Sequence, residues 1–264
     1  MNTLSNIIIT AGLFILLSLG ACMNDTPGDG AKDQRTDLVR AIETAHHKTE
    51  YLSNATISFD IELHWGGGKA LQANVLQRTD GTRIRVRKTT GSDILFDGAD
   101  KWLTTAGQED PNARFDLFTW HYFFSLPWKL SDPGTRWQPL PDRVLEGYDC
   151  RSGRLSFEPG TGDAPDDWYL VFSDKKDGLL RGAVYIVTYG GKDAEAAGKN
   201  PHAIIYSDFR PVEGIPIAHT WTFYGWDTDS LDKKEALGTA VIRNVHFAAE
   251  KPEDFAVPAG AKKI

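Results

Sequence analysis

Two periodicities divide this chain. From Thr36 to Asn54 apolar residues recur at helical spacing, with Leu38, Val39, Ile42, Ala45 and His46 on one face. Thr36 is a natural N-cap and Asp37 suits the positive helix end, so an amphipathic helix is expected to open the folded region. Beyond Asn54 the pattern becomes alternation. In ATISFDIELHW, residues 55–65, Ile57, Phe59, Ile61 and Leu63 point one way. Ser58, Asp60, Glu62 and His64 point the other, as in a strand with one buried and one wetter face.

More strands are expected at 70–78, 83–88, 93–97 and 101–105, with turns at Gly66-Gly67-Gly68, Asp80-Gly81 and Asp97-Gly98. After an aromatic interruption come 148–158, 168–173, 179–189, 203–209, 217–226 and 239–247, separated by clusters such as DKKDG and RPVEGIP. About ten antiparallel strands joined in order make a large meander. A sheet that wide curls. The predicted class is therefore mainly β (α+β): a large curved antiparallel sheet or incomplete β-barrel, with one or two helices across its concave face. A ligand would sit between helix and sheet.

The interruption is FDLFTWHYFFSLPWKLSDPG, Phe115 to Gly134. At helical spacing Phe118, Tyr122 and Leu126 fall on one side; Trp120 and Phe124, flanked by Phe123, fall on the next. Pro127 lacks an N–H and disfavours helical geometry at Leu126. A short helix over 115–125 is expected to end in an extended Leu-Pro-Trp turn, with Asp132-Pro133-Gly134 closing the loop. A helix apolar on nearly all sides needs cover on more than one face. Trp120, Phe123, Phe124 and Trp128 are expected to line or gate an apolar cavity; the alternative is that both faces are core.

The first 21 residues carry no charged side chain, and residues 7–19 are almost wholly apolar. That is short for a membrane span and right for the apolar region of an export signal. Leu19-Gly20-Ala21-Cys22 matches a bacterial lipobox, which places cleavage between Ala21 and Cys22 and an acyl anchor on Cys22. Several acyl chains would hold the protein stably at a membrane. Residues 22–35 read as a flexible polar tether and 36–264 as one domain, since no Pro- or Ser-rich linker divides them. The net charge of −7 argues against nucleic acid or an anionic lipid surface as the main partner. With Cys22 acylated, Cys150 has no disulfide partner. EGYDCRSGR offers it no nearby His, so it reads as a half-buried strand residue.

Catalytic chemistry leaves no signature. There is no G-x-S-x-G elbow, H-E-x-x-H helix, phosphate-cradling Gly loop or paired C-x-x-C, and no metal or cofactor is expected. His46 and His47 are adjacent and about 100° apart on a helix, so they read as one interfacial and one solvated side chain. Asp166-Asp167 reads as a loop cap. Asp227 and Asp229 in WDTD read as a loop tip, with weak calcium contact the alternative.

The lipobox, the AIETAH helix, the strand ISFDI, YFFSLPWKLSDPG, YSDFRPVEGIPIAHTW and the ending FAVPAG together resemble an uncharacterised family of bacterial lipoproteins, domain of unknown function 6503. The resemblance runs from about Leu38 to the C-terminus. More distantly, the early helix, the curved sheet and PEDFAVPAG look like the LolA/LolB superfamily of lipoprotein carriers. That resemblance implies a half-closed barrel cupping helices over a cavity for acyl chains. It implies no catalytic residue.

Three readings follow. In the first, a lipoprotein anchored to the membrane by its N-terminal lipid, in the outer membrane of a Gram-negative envelope, binds a lipid, acyl chain or other apolar ligand. In the second, a structural or assembly lipoprotein contacts another envelope protein. In the third, a hydrolase works in the same cavity. Eight Trp and thirteen Phe favour large apolar surfaces, though a core alone could use most of them.

Overall fold

The opening helix forms as its spacing dictates, over Asp37–Ala45 (α1) in a computed structural model. The structure describes residues 36–264 apart from positions 190, 192, 228, 229 and 234. Ala21, Cys22, the tether and Asp229 lie outside the described residues. Thr36 caps α1 by accepting the Val39 N–H at 3.3 Å, and Leu38, Val39 and Ile42 are buried. His47 adopts a left-handed φ of 52° and turns the chain into a second short helix, Lys48–Ser53 (α2). His46 is buried and His47 exposed, as expected for an interfacial and a solvated residue.

Among the described residues the strands make one open antiparallel sheet of fourteen. The first half runs through Thr56–Trp65 (β1), Gly68–Arg78 (β2), Ile84–Lys88 (β3), Asp93–Phe96 (β4) and Lys101–Thr104 (β5). Each pairs with the one before it, stepping outward to one edge. The chain then crosses through a third helix, Ala113–Ser125 (α3), to the opposite edge. Here the expected meander fails, because β5 and the next strand do not pair. The second half starts at Thr135–Leu145 (β6), a strand the alternation does not predict, and steps inward. It runs through Tyr148–Phe157 (β7), Tyr169–Asp174 (β8), Leu180–Tyr185 (β9), His202–Val212 (β10) and Ile215–Asp227 (β11). Ser230–Asp232 (β12) pairs with β11, off the main strand order. Gly238–Ala248 (β13) closes the seam by pairing with both β1 and β11, and Lys262–Lys263 (β14) covers the β5 edge.

The alternation in β1 holds. Ile57, Phe59, Ile61 and Leu63 are all within 3% of full burial, and Asp60, Glu62 and His64 are wetter; Ser58, expected on the wetter face, is buried as well. Cys150 is fully buried in β7 rather than half-buried, packed with Leu145, Phe172 and Val184. Burial and the Asp174 charge push its thiol up to about 11, away from the nucleophilic thiolate.

Curvature follows from two contacts of α3. Phe118 meets Phe96 of β4 and Tyr122 meets Tyr169 of β8, each with ring centroids 5.5 Å apart. β4 and β8 are eight strand spacings apart in the sheet order, about 38 Å if flat. Phe118 and Tyr122 are one helical turn apart, roughly 6 Å along the axis. Only a sheet curled round the helix brings both strands to it.

Candidate functional site

α3 is held on the sheet by polar ties as well as rings. Near its start Lys88 of β3 lies 2.8 Å from Asp110 and 2.5 Å from Asp116, and the Trp120 indole donates to Asp116 at 2.7 Å. At its end the Tyr206 hydroxyl donates to the Phe123 carbonyl at 2.8 Å, satisfying an acceptor the helix leaves open. The chain does not extend after Ser125. Leu126–Trp128 forms a 3-10 turn with Leu126 at φ −48°, ψ −43°. The missing N–H of Pro127 costs little there, because the first turn of a helix has free donors anyway. The Trp128 indole locks the turn, donating to the His46 carbonyl at 2.7 Å and stacking on Tyr51 at 3.9 Å.

One side of α3 is therefore core. Phe124 stacks on Phe59 of β1 at 4.0 Å, and Trp120, Phe123 and Trp128 are each no more than 5% exposed. The other side faces a cavity of about 550 Å³. Phe115, Phe118, Thr119 and Tyr122 form its helical wall. The sheet side is built by Phe96 of β4, Lys101 of β5, Phe157 of β7, Tyr169 of β8 and Tyr185 of β9. Segments 161–167 and 186–189 complete it. Of the four residues expected to line or gate a cavity, Phe123 borders it. Trp120, Phe124 and Trp128 do not, and lie in the packed interior between α3 and the sheet.

Phe115, Phe118 and Tyr122 line the cavity without being expected there, although their i, i+3, i+7 spacing marks a single face. With bulky residues on almost every side of α3, periodicity cannot say which face is left open. Lys101, Tyr169 and Tyr185 had no local signal at all, because strands distant in sequence bring them together.

Polar groups are set into this apolar wall. The Tyr122 hydroxyl and His121 Nδ1 are buried with no hydrogen-bond partner among the described residues. Burial, reinforced by the charges of Asp132 and Asp167, raises the Tyr122 hydroxyl far above its usual range, so it is a neutral donor. Burial, with the nearby Lys129 charge, lowers His121 to about 3, so it too is neutral. Asp167 accepts the Thr188 N–H and O–H, both at 2.8 Å, and burial raises its carboxyl despite these bonds. Among the described residues no group of three His, Cys, Asp or Glu side chains could hold a metal ion. The site's chemistry is that of an aromatic cup with a few polar points.

No family model and no curated protein matches the chain. The likeness to domain of unknown function 6503 therefore rests on the quoted residues alone. Solved structures do match. The chain is similar to a putative outer membrane lipoprotein-sorting protein domain from Vibrio parahaemolyticus, at 12% identity and TM-score 0.52, covering 83% of this chain and 97% of that one. It is similar to a LolA superfamily protein from Nitrosomonas europaea, at 12% identity and TM-score 0.53, covering 81% and 97%. It is also similar to a DUF1329 family protein from Desulfovibrio piger, at 11% identity and TM-score 0.51, covering 82% and 95%. The fold is LolA-like. At such identity the likeness extends to the fold and no further.

Proposed function

We propose that this protein is a cell-envelope lipoprotein, anchored through acylated Cys22, whose domain of residues 36–264 binds a lipid, acyl chain or other apolar ligand. The cavity carries this reading. Beside a core in which Phe124, Trp120 and Trp128 are packed, about 550 Å³ remains open against Phe96, Phe115, Phe118, Phe157 and Tyr169. That volume lies within the roughly 300–1,000 Å³ of small-molecule sites, and such sites are mostly apolar with a few placed polar groups. A LolA-like fold, in which helices are cupped by an open sheet, is compatible with this role.

Native mass spectrometry of the protein extracted gently from its own membranes tests the proposal. A complex heavier than the acylated chain by one small amphiphile, released on collisional activation, is the expected result. A chain that carries no adduct and takes up none from added lipid would count against it.

A further inference from the structure

Three cations and three carboxylates line the cavity, but they are not all paired with one another. Arg114 is matched by Asp163 at 2.6 Å, and Lys129 by Asp132 at 2.8 Å. Asp167 is already engaged by two donors from Thr188. Lys101 differs: its half-buried side chain borders the cavity, and among the described residues no carboxylate lies within 4.0 Å of its ammonium. Its contact with the wall is the face of Phe118, with Nζ 5.8 Å from the ring centroid. A cation over an aromatic face, next to an apolar space, is placed to receive an anion on an apolar body.

The surroundings narrow that anion. A single unmatched positive charge suits a single negative one. Three carboxylates on the same walls, Asp132, Asp163 and Asp167, disfavour a more highly charged head. At roughly 30 Å³ per water-sized group, the cavity holds on the order of eighteen such groups, the bulk of one acyl chain rather than two.

We propose that the ligand is a single-chain fatty acid whose carboxylate pairs with Lys101 and whose chain packs between α3 and the tyrosine wall. This deepens the cavity reading above and rests on it. Because the anchoring charge is only half-buried, its contribution is sensitive to salt, whereas that of the chain is not.

The test uses the chain exported behind a cleavable signal and carrying Cys22→Ser, so that no detergent competes. It is titrated with parinaric acid, a fluorescent polyene fatty acid, and with the methyl ester of that acid. The acid is expected to bind at least tenfold more tightly than the ester. Lys101→Gln is expected to remove that preference by weakening the acid alone, and Lys101→Arg to keep it. Equal binding of acid and ester by the wild type would overturn the carboxylate assignment while leaving the cavity reading intact. So would an equal loss of both ligands in Lys101→Gln, which would mean that only the lysine stem contributes. Stronger displacement of the probe by lysophosphatidic acid than by palmitate would replace the carboxylate with a phosphate head. Binding of neither probe would defeat the underlying cavity reading as well.

Discussion

His46 and His121 are the residues whose burial has the clearest consequence in solution. Burial lowers both to about 3, helped at His46 by the charges of Arg181 and His47 and at His121 by Lys129. His46 Nε2 accepts the Leu180 N–H at 3.1 Å, which requires the neutral ring. Because the folded-state values lie below the unfolded value of 6.5, the unfolded chain binds more protons in acid. Stability is complete above pH 6.5 and is lost as the pH falls toward 3. Each histidine removes about 1.4 kcal/mol per pH unit below 6.5, so the pair removes about 3 kcal/mol between pH 7.5 and 5.5. Asp167 acts with the opposite sign, since a raised carboxyl takes up its proton in the folded state. The histidine contribution is therefore read by difference. Urea unfolding across this range should give His121→Gln a loss about 1.4 kcal/mol smaller than that of the wild type. Parallel losses in the two proteins would mean that His121 is protonated in the fold.

At the scale of elements, α3 has two faces with different work, and substitutions six residues apart should separate them. Phe124 stacks on Phe59 within the core, so Phe124→Ala should cost about 3–5 kcal/mol of stability. Phe118 is partly exposed on the cavity wall, so Phe118→Ala should cost closer to 1 kcal/mol and weaken binding of an apolar probe several-fold. Thermal denaturation with probe titration checks both, and equal destabilisation by the two would erase the distinction between faces.

How much of this was legible varies by element. The strands with clean alternation, β1 above all, and the capped α1 were readable because each has one wet face. β6 was not, because Pro139 and Pro141 suppress a strand reading; proline tolerates strands at a sheet edge, which is where β6 lies. The turn at Leu126 is 3-10 rather than extended as Pro127 suggests, because the locking bond from Trp128 to His46 spans residues far apart in sequence. For the site, the aromatic segment was located and its open face was not. That face depends on which strands curl round α3, and the pairing of β13 with both β1 and β11 sets this curl from outside the segment.

Taken as a whole molecule, the protein is a sheet of two halves, one stepping outward from β1 and one stepping inward from β6, zipped at β13 and wrapped round an aromatic helix. The wrap fills one side of that helix with core and leaves the other side open. The central claim is that this open side is a ligand site and not a packing remnant. Filling it is the most direct test. Thr119 lies on the cavity wall between Phe115 and Tyr122, and Thr119→Trp would place a large ring in the space without removing a core contact. Binding of parinaric acid to wild type and to Thr119→Trp, with melting temperatures measured alongside, decides the matter. The account predicts one-to-one binding by the wild type, at least a tenfold loss in Thr119→Trp, and melting temperatures within a few degrees of each other. Undiminished binding by a folded Thr119→Trp, or a wild type that binds no apolar probe, would contradict it.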